Sequence, residues 1–402
     1  MNIVCLASDF KGIPFLRRAK DLGCHVTLLT KDKHLRDEWD WSAIDEIHPT
    51  SNYPTADEYI RIVTGLQRSR KFDLVCPMDE FDVLPAAFAR DHLQIEGQGI
   101  ESAARFRDKL NMRRTAEKAG VPIPDYVALF NSLDIEQFAE RVEPPWIVKP
   151  RTEVSAFGIR KLHSKDELWQ NLAELDNRGV WRDHPSQYLL EKFIKGDVFH
   201  VDSVIFDGEP VFSGVSRYGK PPFTVTHGGG IFTTSICRYD CREKQELLEL
   251  NRQLIRGFGL QKGVAHAEFL QSEADGKFYL LEVASRVGGA YISDALDAAT
   301  GVNLWAEWAS VDLSTPENPY KPPNLREHYA GVVLTLARQE TPDTSGYTES
   351  EIVYRIKKKN HVGFIVASHD YDRVQYLLEH YQQRFVADFM AFAPARERHD
   401  DL

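Results

Sequence analysis

Two glutamates on a predicted β-hairpin constrain this sequence more than any other feature does. The segments Gly263–Leu270 and Phe278–Arg286 both read as alternating strands, and an Asp-Gly turn pair lies between them. Opposed residues in a hairpin have residue numbers of constant sum, and a tip near residue 275 sets that sum at about 550. Glu268 and Glu282 meet this condition, so we predict that they face each other at the ~5 Å spacing of a cross-strand pair.

Two like charges at that spacing destabilise a sheet unless a cation lies between them. Oxygen ligands without a thiolate favour Mg²⁺ or Mn²⁺. Arg286 follows Glu282 by four residues, so a period of two puts it on the same face, where it can hold an anion beside the metal. A solvated hairpin with two exposed glutamates is the alternative.

The flanking residues favour the floor of a site over a solvated face. The residues predicted to fill the apolar face are Ala265, Ala267, Phe269, Leu281 and Val283. The residues predicted on the carboxylate face are His266, Glu268, Leu270, Leu280, Glu282 and Arg286.

The N-terminal part of the chain alternates between apolar runs and amphipathic stretches, which indicates a small parallel α/β domain. The predicted elements are strands at Asn2–Ala7, His25–Thr30 and Asp73–Met78, and helices at Ile13–Leu22 and from a Thr55/Glu58 capping box to about Arg70. The loop after the first strand carries one glycine where a dinucleotide fingerprint needs three. A nicotinamide-binding domain is therefore not expected.

The rest of the sequence predicts an α+β region and a shorter terminal one. Its predicted strands are Trp146–Lys149, Tyr188–Phe193, Val198–Phe206, Tyr329–Ala337 and Gly363–Ala367, and its predicted helices are Arg105–Ala119, Lys165–Leu175, Lys244–Phe258 and Tyr371–Gln382. A proline-rich linker occupies Ser314–Pro323. We predict a mixed α/β and α+β chain with an N-terminal α/β domain at 1–100, an α+β domain at 101–312 and a small C-terminal subdomain at 313–402.

Composition excludes several classes of protein. The 402 residues carry 49 basic and 60 acidic side chains, a net charge of -11, which is the wrong sign for a surface that binds nucleic acid. No segment approaches the ~18 apolar residues of a membrane span, and no signal-peptide pattern opens the sequence. The five cysteines fit reduced thiols better than a zinc site, so we expect a cytoplasmic protein without nucleic-acid or membrane partners.

Several charged residues stand where predicted strands or helices begin or end. Lys149 ends a buried strand, and the following loop, residues 151–158, has backbone N–H groups and hydroxyls that can cradle phosphates. Lys109 stands at the head of a helix, and the segment Glu191–Ile194 precedes a Gly-Asp pair. Each of these features is weak when taken singly.

The order of these segments resembles the ATP-grasp superfamily over roughly residues 2–312. The matching segments are Asp108–Leu110, Ala119–Pro122, Ile147–Pro150, Glu191–Ile194, Gly263–Phe269 and Glu282–Gly289. The resemblance implies an ATP-grasp fold preceded by a Rossmann-like domain. It also implies ATP and Mg²⁺ (or Mn²⁺) as cofactors.

The same resemblance implies a role for each matching residue. Lys109 and Lys149 would contact ATP phosphates, Glu268 and Glu282 would hold the metal, and Arg286 would stabilise the transferring phosphoryl group. The other implied ATP contacts are Ser155 and Gly158 in the phosphate loop, Glu191, Lys192, Phe193 and Ile194 at the adenine hinge, and Asp197 at the ribose.

Within the superfamily, the sequence is similar to carboxylate–amine ligases that join amino acids. Such enzymes convert a carboxylate into an acyl phosphate with ATP, and an amine then displaces the phosphate. Small-molecule carboxylates and amines would be the partners, with Lys149 and Arg286 as catalytic residues, and the family often forms homodimers. The implied substrate contacts are His227, Gly228 and Gly229, as a loop that closes over the acceptor or as a plain turn, and Gly288 and Gly289, as carboxylate-binding N–H groups or as a helix entry.

One departure from the family pattern leaves alternatives open. The family usually places Asn two residues after the second metal glutamate, whereas this sequence has Ala284. A second Mg²⁺ is therefore open, and His266, predicted opposite Ala284, is either a ligand or a packed, hydrogen-bonded histidine. An ATP-binding protein without turnover and a small-molecule kinase are the competing functions.

Overall fold

The computed structural model of the chain describes residues 1–154, 157–177, 185–228 and 230–391. Strands within these ranges form three sheets of four, eight and four strands. No helix among the described residues is both long and apolar enough to cross a membrane.

The N-terminal part is the predicted parallel α/β unit. Its elements are β1 (Asn2–Ala7), α1 (Ile13–Asp21), β2 (His25–Lys31), β3 (Glu46–Thr50), α2 (Ala56–Gln67), β4 (Leu74–Pro77) and α3 (Val83–Leu93). The strands are all parallel in the order β3-β2-β1-β4. Alternate residues of β1 enter two separate cores, Ile3 and Cys5 on one face and Val4 and Leu6 on the other, because helices cover both faces of a parallel sheet.

Only one of the two hydrogen bonds of the predicted capping box at α2 forms. Thr55 Oγ1 accepts a hydrogen bond from the Glu58 backbone N–H at 3.2 Å, as expected. The Glu58 carboxylate instead accepts from the backbone N–H and hydroxyl of Ser51 at 2.6 and 2.7 Å. The cap therefore ties the helix start to the preceding loop.

The predicted helix Arg105–Ala119 is wrong as a single element. The structure has α4 (Ile100–Arg107) and α5 (Lys109–Lys118), separated at Asp108, which has extended backbone angles. The Asp108 carboxylate accepts a hydrogen bond from the Leu110 N–H and so caps α5. The break places Lys109 in the first turn of a new helix.

The four-stranded antiparallel sheet follows. Its elements are β5 (Tyr126–Ala128), α6 (Ser132–Arg141), β6 (Trp146–Pro150), β7 (Arg160–Leu162), α7 (Lys165–Asn177) and β8 (Tyr188–Lys192), with the strand order β5-β8-β6-β7. Leu168 and Leu172 of α7 pack with Trp146 and Leu190 in the core beneath the sheet. This packing fixes the two strands β6 and β8 that carry predicted site residues.

The eight-stranded sheet contains the remaining strands. Its elements are β9 (Gly196–Phe206), β10 (Glu209–Tyr218), α8 (Pro222–Gly228), β11 (Phe232–Ile236), α9 (Arg242–Phe258), β12 (Lys262–Ser272), β13 (Phe278–Ala284), α10 (Ile292–Thr300), α11 (Leu304–Asp312), β14 (Tyr329–Leu336), β15 (Ile352–Arg355), β16 (His361–Ser368) and α12 (Tyr371–Asp388). The strand order is β13-β12-β9-β10-β11-β14-β16-β15. The C-terminal strands therefore continue the sheet that carries the hairpin, and the domain boundaries at 100 and 312 stay predictions.

The segment after β10 differs from its prediction. Residues 222–228 form α8, whereas residues 223–226 have a strand-like composition in the sequence and residues 227–229 are predicted as a loop or a plain turn. Pro222 stands at the first helical position, where its fixed φ and missing N–H favour helix initiation. His227 and Gly228 thus belong to a helix; the side chain of His227, and Gly229 as a whole, lie outside the described residues.

The β12–β13 hairpin has the predicted register at its glutamates and a bulge next to them. Glu268 is opposite Glu282, whereas Phe269 is opposite Leu280, so Leu281 is an extra residue on β13. The predicted faces of Leu280 and Leu281 are therefore wrong. Leu280 packs in the core behind the sheet, and Leu281 packs on the opposite side. Successive side chains of a strand normally point to opposite faces, and the extra residue interrupts this alternation at the bulge.

Candidate active site

A cleft of about 710 Å³ is lined by strands of the four-stranded antiparallel sheet and of the eight-stranded sheet. This volume falls within the roughly 300–1,000 Å³ of small-molecule sites. The predicted site residues that line it are Lys109, Lys149, Glu191, Lys192, Phe193, Ile194, Asp197, Glu268, Glu282, Arg286 and Gly289. The structure thus brings together segments that are far apart in the sequence.

Two further predicted residues, Gly158 and Gly288, are not among the residues that line the cleft. Ser155 lies outside the described residues, and Gly158 adopts a left-handed conformation with φ of 67° in the turn before β7. A Cβ added to Gly288 would lie 2.8 Å from Asp202 Oδ1 and 2.9 Å from His266 Nδ1, so the backbone there approaches these groups as only glycine can. The proposed N–H contacts of Gly288 to substrate stay a prediction.

The two hairpin glutamates face each other at the cleft. Their side chains are 17% and 28% exposed, which differs from the fully solvated face that the sequence left open. Tyr218 donates its hydroxyl to Glu268 Oε1 at 2.7 Å, and His266 Nε2 lies 3.4 Å from the same oxygen. Burial alone would raise the pKa of Glu268, but the hydrogen bond and charge of His266 lower it, so this carboxylate stays ionised.

Lys109 stands beside the second glutamate. Its Nζ donates to Glu282 Oε1 at 3.1 Å and to the Glu153 carbonyl at 2.7 Å. The Asp108 cap directs this first-turn side chain toward the cleft. The ammonium partly neutralises the pair of carboxylates.

Lys149 is held by a buried carboxylate. Its Nζ lies 2.6 Å from Glu191 Oε2, and Arg113 Nε donates to Glu191 Oε1 at 2.6 Å. Desolvation and the Arg113 charge lower the pKa of Lys149, Glu191 raises it in part, and the result is a pKa of about 8. The Glu191 side chain, which the resemblance placed at the adenine hinge, is thus engaged by two cations.

His266 is a packed, hydrogen-bonded histidine. Its Nδ1 lies 2.8 Å from Asp202 Oδ1, and the other oxygen of Asp202 lies 2.6 Å from His200 Nδ1. Burial lowers the pKa of His266, but the Asp202 carboxylate more than compensates and raises it to about 9. His266 lies opposite Ala284, as predicted, and both of its ring nitrogens face carboxylates.

Arg286 has a partner that the sequence did not reveal. Its Nε donates to Glu80 Oε2 at 2.7 Å, and Arg107 Nη1 donates to Glu80 Oε1 at 2.7 Å. Glu80 follows β4 at the carboxyl edge of the N-terminal sheet. The N-terminal unit thus orients the arginine of the cleft.

The predicted hinge residues Phe193 and Ile194 and the predicted ribose contact Asp197 also line the cleft. Asp197 pairs with Arg217 at 2.6 Å, and both side chains are about half exposed. Lys161 Nζ lies 3.7 Å from the centre of the Phe193 ring, in cation–π contact.

The sequence reasoning missed Glu80, Arg113, Asp202 and Tyr218. Two of these positions carried a usable signal. Glu80 lies in an acidic run directly after a parallel strand, at the sheet edge where ligands bind in such folds. Arg113 lies four residues after Lys109, on the same helix face.

The residues of the cleft fit a divalent cation and a polyphosphate. Glu268 and Glu282 offer adjacent carboxylate oxygen ligands of the kind that Mg²⁺ prefers. Lys109, Lys149 and Arg286 supply positive charge around them, which suits phosphate oxygens. Glu268 and Glu282 would therefore hold the metal, and the three cations would contact the phosphates.

Two family models match the chain. The ATP-grasp N-terminal domain matches residues 16–95, and the ATP-grasp domain matches residues 142–294. The second range contains β6, β8 and the β12–β13 hairpin. The matches therefore cover both sides of the cleft.

Named relatives are ligases. The chain is 28% identical over 257 residues to the L-arginine-specific L-amino acid ligase of Bacillus subtilis, a match that covers 63% of this chain and 59% of that protein. It is 28% identical over 200 residues to a D-alanine–D-alanine ligase of Pseudomonas putida, covering 48% of this chain and 58% of that one. The chain thus spans less than two thirds of the length of these relatives.

Solved structures share the fold over nearly the whole chain. The L-amino acid ligase from Bacillus licheniformis superposes with a TM-score of 0.73 at 17% identity, covering 97% of this chain and 98% of that one. The N5-carboxyaminoimidazole synthetase from Staphylococcus aureus complexed with ADP gives 0.71 at 14% identity, covering 94% and 96%. These likenesses show the fold, and the two family models, which together match more than half of the chain, show that it belongs to the ATP-grasp superfamily.

Proposed function

We propose that this protein is an ATP- and Mg²⁺-dependent carboxylate–amine ligase. It would form an amide bond between amino-acid or peptide-like substrates through an acyl phosphate, and release ADP and phosphate. The observation that carries this proposal is the facing pair Glu268 and Glu282 in one cleft with Lys109, Lys149 and Arg286.

These residues suit a reaction in which no protein nucleophile takes part. A substrate carboxylate that attacks the γ-phosphate of ATP needs alignment and neutralisation of charge. When bound, Mg²⁺ would supply Lewis-acid stabilisation of the phosphate oxygens. Lys149 and Lys109 would bind the phosphates, and Arg286 would stabilise the charge that develops during transfer.

The N-terminal sheet would contribute through Glu80. The Glu80 carboxylate fixes the Arg286 guanidinium from one side, so that the remaining N–H groups keep a defined direction. Arg107 completes the same contact from α4 and donates to the Thr152 carbonyl in the predicted phosphate loop. Substrate alignment would therefore depend both on the N-terminal sheet and on the part of the chain that forms the cleft.

The names of the relatives suggest which substrates to test. An L-amino acid ligase and a D-alanine–D-alanine ligase both match this chain, so amino acids are the first donors and acceptors to supply. We also propose that the protein works in the cytoplasm, since all five of its cysteines are free thiols.

A screen of amino-acid pairs tests the proposal. Purified protein with ATP and Mg²⁺ should release ADP and free phosphate only when both a carboxylate donor and an amine acceptor are present, and mass spectrometry should detect the dipeptide. A kinase would retain the phosphate on its product, and a binding protein would release no ADP. Either outcome would replace the ligase proposal.

A further inference from the structure

Arg113 is the most deeply buried charged side chain next to the cleft. It lies on α5 one turn after Lys109, and its side chain has no solvent exposure. Burial of an unpaired guanidinium is very costly, so its partners determine what it does. It has two partners, and they belong to different sheets.

The first partner is Glu191, on β8 of the four-stranded antiparallel sheet. Arg113 Nε donates to Oε1 at 2.6 Å, and Arg113 Nη2 lies 3.3 Å from Oε2. The same carboxylate holds Lys149 at 2.6 Å. The Glu191 carboxylate therefore positions the Lys149 ammonium, and Arg113 in turn holds that carboxylate by hydrogen bonds.

The second partner is the bulge of the hairpin. Arg113 Nη2 donates to the backbone carbonyl of Leu281 at 2.8 Å. Leu281 is the extra residue on β13. Its insertion shifts the strand pairing by one residue, so that Glu282 lies opposite Glu268. This hydrogen bond supplies a donor for a carbonyl next to Glu282.

Neighbouring residues secure the same strand. β13 is an edge strand of its sheet. The Leu280 N–H donates to the Pro122 carbonyl at 2.8 Å, and the Val283 N–H lies 3.4 Å from Met112 Sδ. The α5 segment thus covers the edge of β13, and Lys109 and Arg113 are the charged residues of α5 that contact this strand.

We propose that Arg113 is a positioning residue that sets Lys149, through Glu191, and Glu282, through the Leu281 carbonyl, in one fixed arrangement. The inference rests on the proposed function, because that arrangement matters for a nucleotide and a metal bound together. Arg113 would couple the phosphate-binding lysine of one sheet to the metal-binding glutamate of the other.

The test measures binding directly, with a non-hydrolysable ATP analogue titrated calorimetrically at several Mg²⁺ concentrations. R113M should weaken analogue binding roughly tenfold or more, the effect of losing a charge-assisted hydrogen bond, and should raise the half-saturating Mg²⁺. R114M is the matched control, since Arg114 is the exposed next residue of the same helix, and it should bind as wild type does.

A conservative variant keeps the test informative if R113M folds poorly. R113K retains a buried cation that can pair with Glu191, but a single ammonium replaces the two arms of the guanidinium. We expect R113K to recover most of the analogue affinity and to keep a raised Mg²⁺ requirement. Recovery of both quantities, or of neither, would overturn the proposed double role.

A double-mutant cycle separates positioning from general stability. If Arg113 acts through Glu191, the effects of R113M and E191Q on analogue affinity should be strongly non-additive. Additive effects, or an R113M variant that binds as wild type does, would refute the role of Arg113 and leave the ligase proposal standing. Wild-type protein that binds no Mg²⁺–analogue complex would refute the proposed function itself.

Discussion

Replacement of Glu80 by glutamine removes a buried negative charge that bridges Arg107 and Arg286. The side chains of Glu80 and Arg107 are each 5% exposed, and that of Arg286 is 22% exposed. Removing one partner of a buried ion pair costs about 3–5 kcal/mol, because the other charge stays buried without compensation. Arg107 keeps its bond to the Thr152 carbonyl and Arg286 retains some access to water, so we expect about 3 kcal/mol, the lower end.

The same change should slow the reaction. Without the Glu80 carboxylate, the orientation of the Arg286 guanidinium is less tightly fixed. Small misplacements of an aligning group cost roughly 10–100-fold in rate. We expect kcat to fall by such a factor. The KM for ATP should change less, since Lys109 and Lys149 keep their partners.

Urea denaturation and steady-state kinetics measure both effects. E101Q is the matched control, because Glu101 is 88% exposed and pairs with Arg105 across one helical turn, a contact worth less than ~0.5 kcal/mol. Burial would raise the pKa of Glu80, but Arg107 and Arg286 lower it below its unfolded value. The stability that Glu80 contributes is therefore present above the unfolded pKa and is lost as the pH falls through the folded one. An E80Q protein with the stability and rate of E101Q would refute this reasoning.

Three further predictions concern the cleft. E282Q should lower turnover by at least ~100-fold with little change in stability, since Glu282 is partly exposed and is a proposed metal ligand, whereas D275N at the hairpin tip should have no effect; equal activities would exclude the metal role. Because the pKa of Lys149 is about 8, kcat/KM for ATP should decline as the pH rises through 8, and K149R should shift that decline to higher pH; a profile unchanged by K149R would assign the decline to another group. R286A should lower kcat more than it raises the KM for ATP, because charge develops at the transferring group only during reaction, and the reverse pattern would make Arg286 a binding residue.

The hairpin itself could be predicted from local spacing, because the Asp-Gly turn lies between two alternating strands. The exact pairing of Glu268 with Glu282 also depends on the bulge, since Phe269 is opposite Leu280 and only the extra Leu281 brings Glu282 opposite Glu268. The bulge could not be predicted, since an extra residue changes no composition and is stabilised by the distant Arg113. For this reason the prediction was right at Glu282 and wrong at Leu280 and Leu281.

Contacts between distant parts of the chain could not be predicted from the sequence. Glu80 and Arg286 are separated by 206 positions, and their meeting depends on how the N-terminal sheet docks against the cleft. The short helix at Pro222 was missed because Phe-Thr-Val-Thr has the composition of a strand, and tertiary context overrides such weak propensity. At Asp108 the sequence was interpreted in two ways: the helical pattern was continued through to Ala119, which is wrong, whereas the placement of Lys109 at the head of a helix is confirmed, because Asp108 caps α5.

Trapping of the intermediate tests the central claim most directly. Hydroxylamine, supplied in place of the amine with the correct carboxylate, ATP and Mg²⁺, should yield a hydroxamate together with equal amounts of ADP and free phosphate. That result requires attack at the γ-phosphate and an electrophilic acyl phosphate. A hydroxamate accompanied by AMP and pyrophosphate would show attack at the α-phosphate and contradict the account.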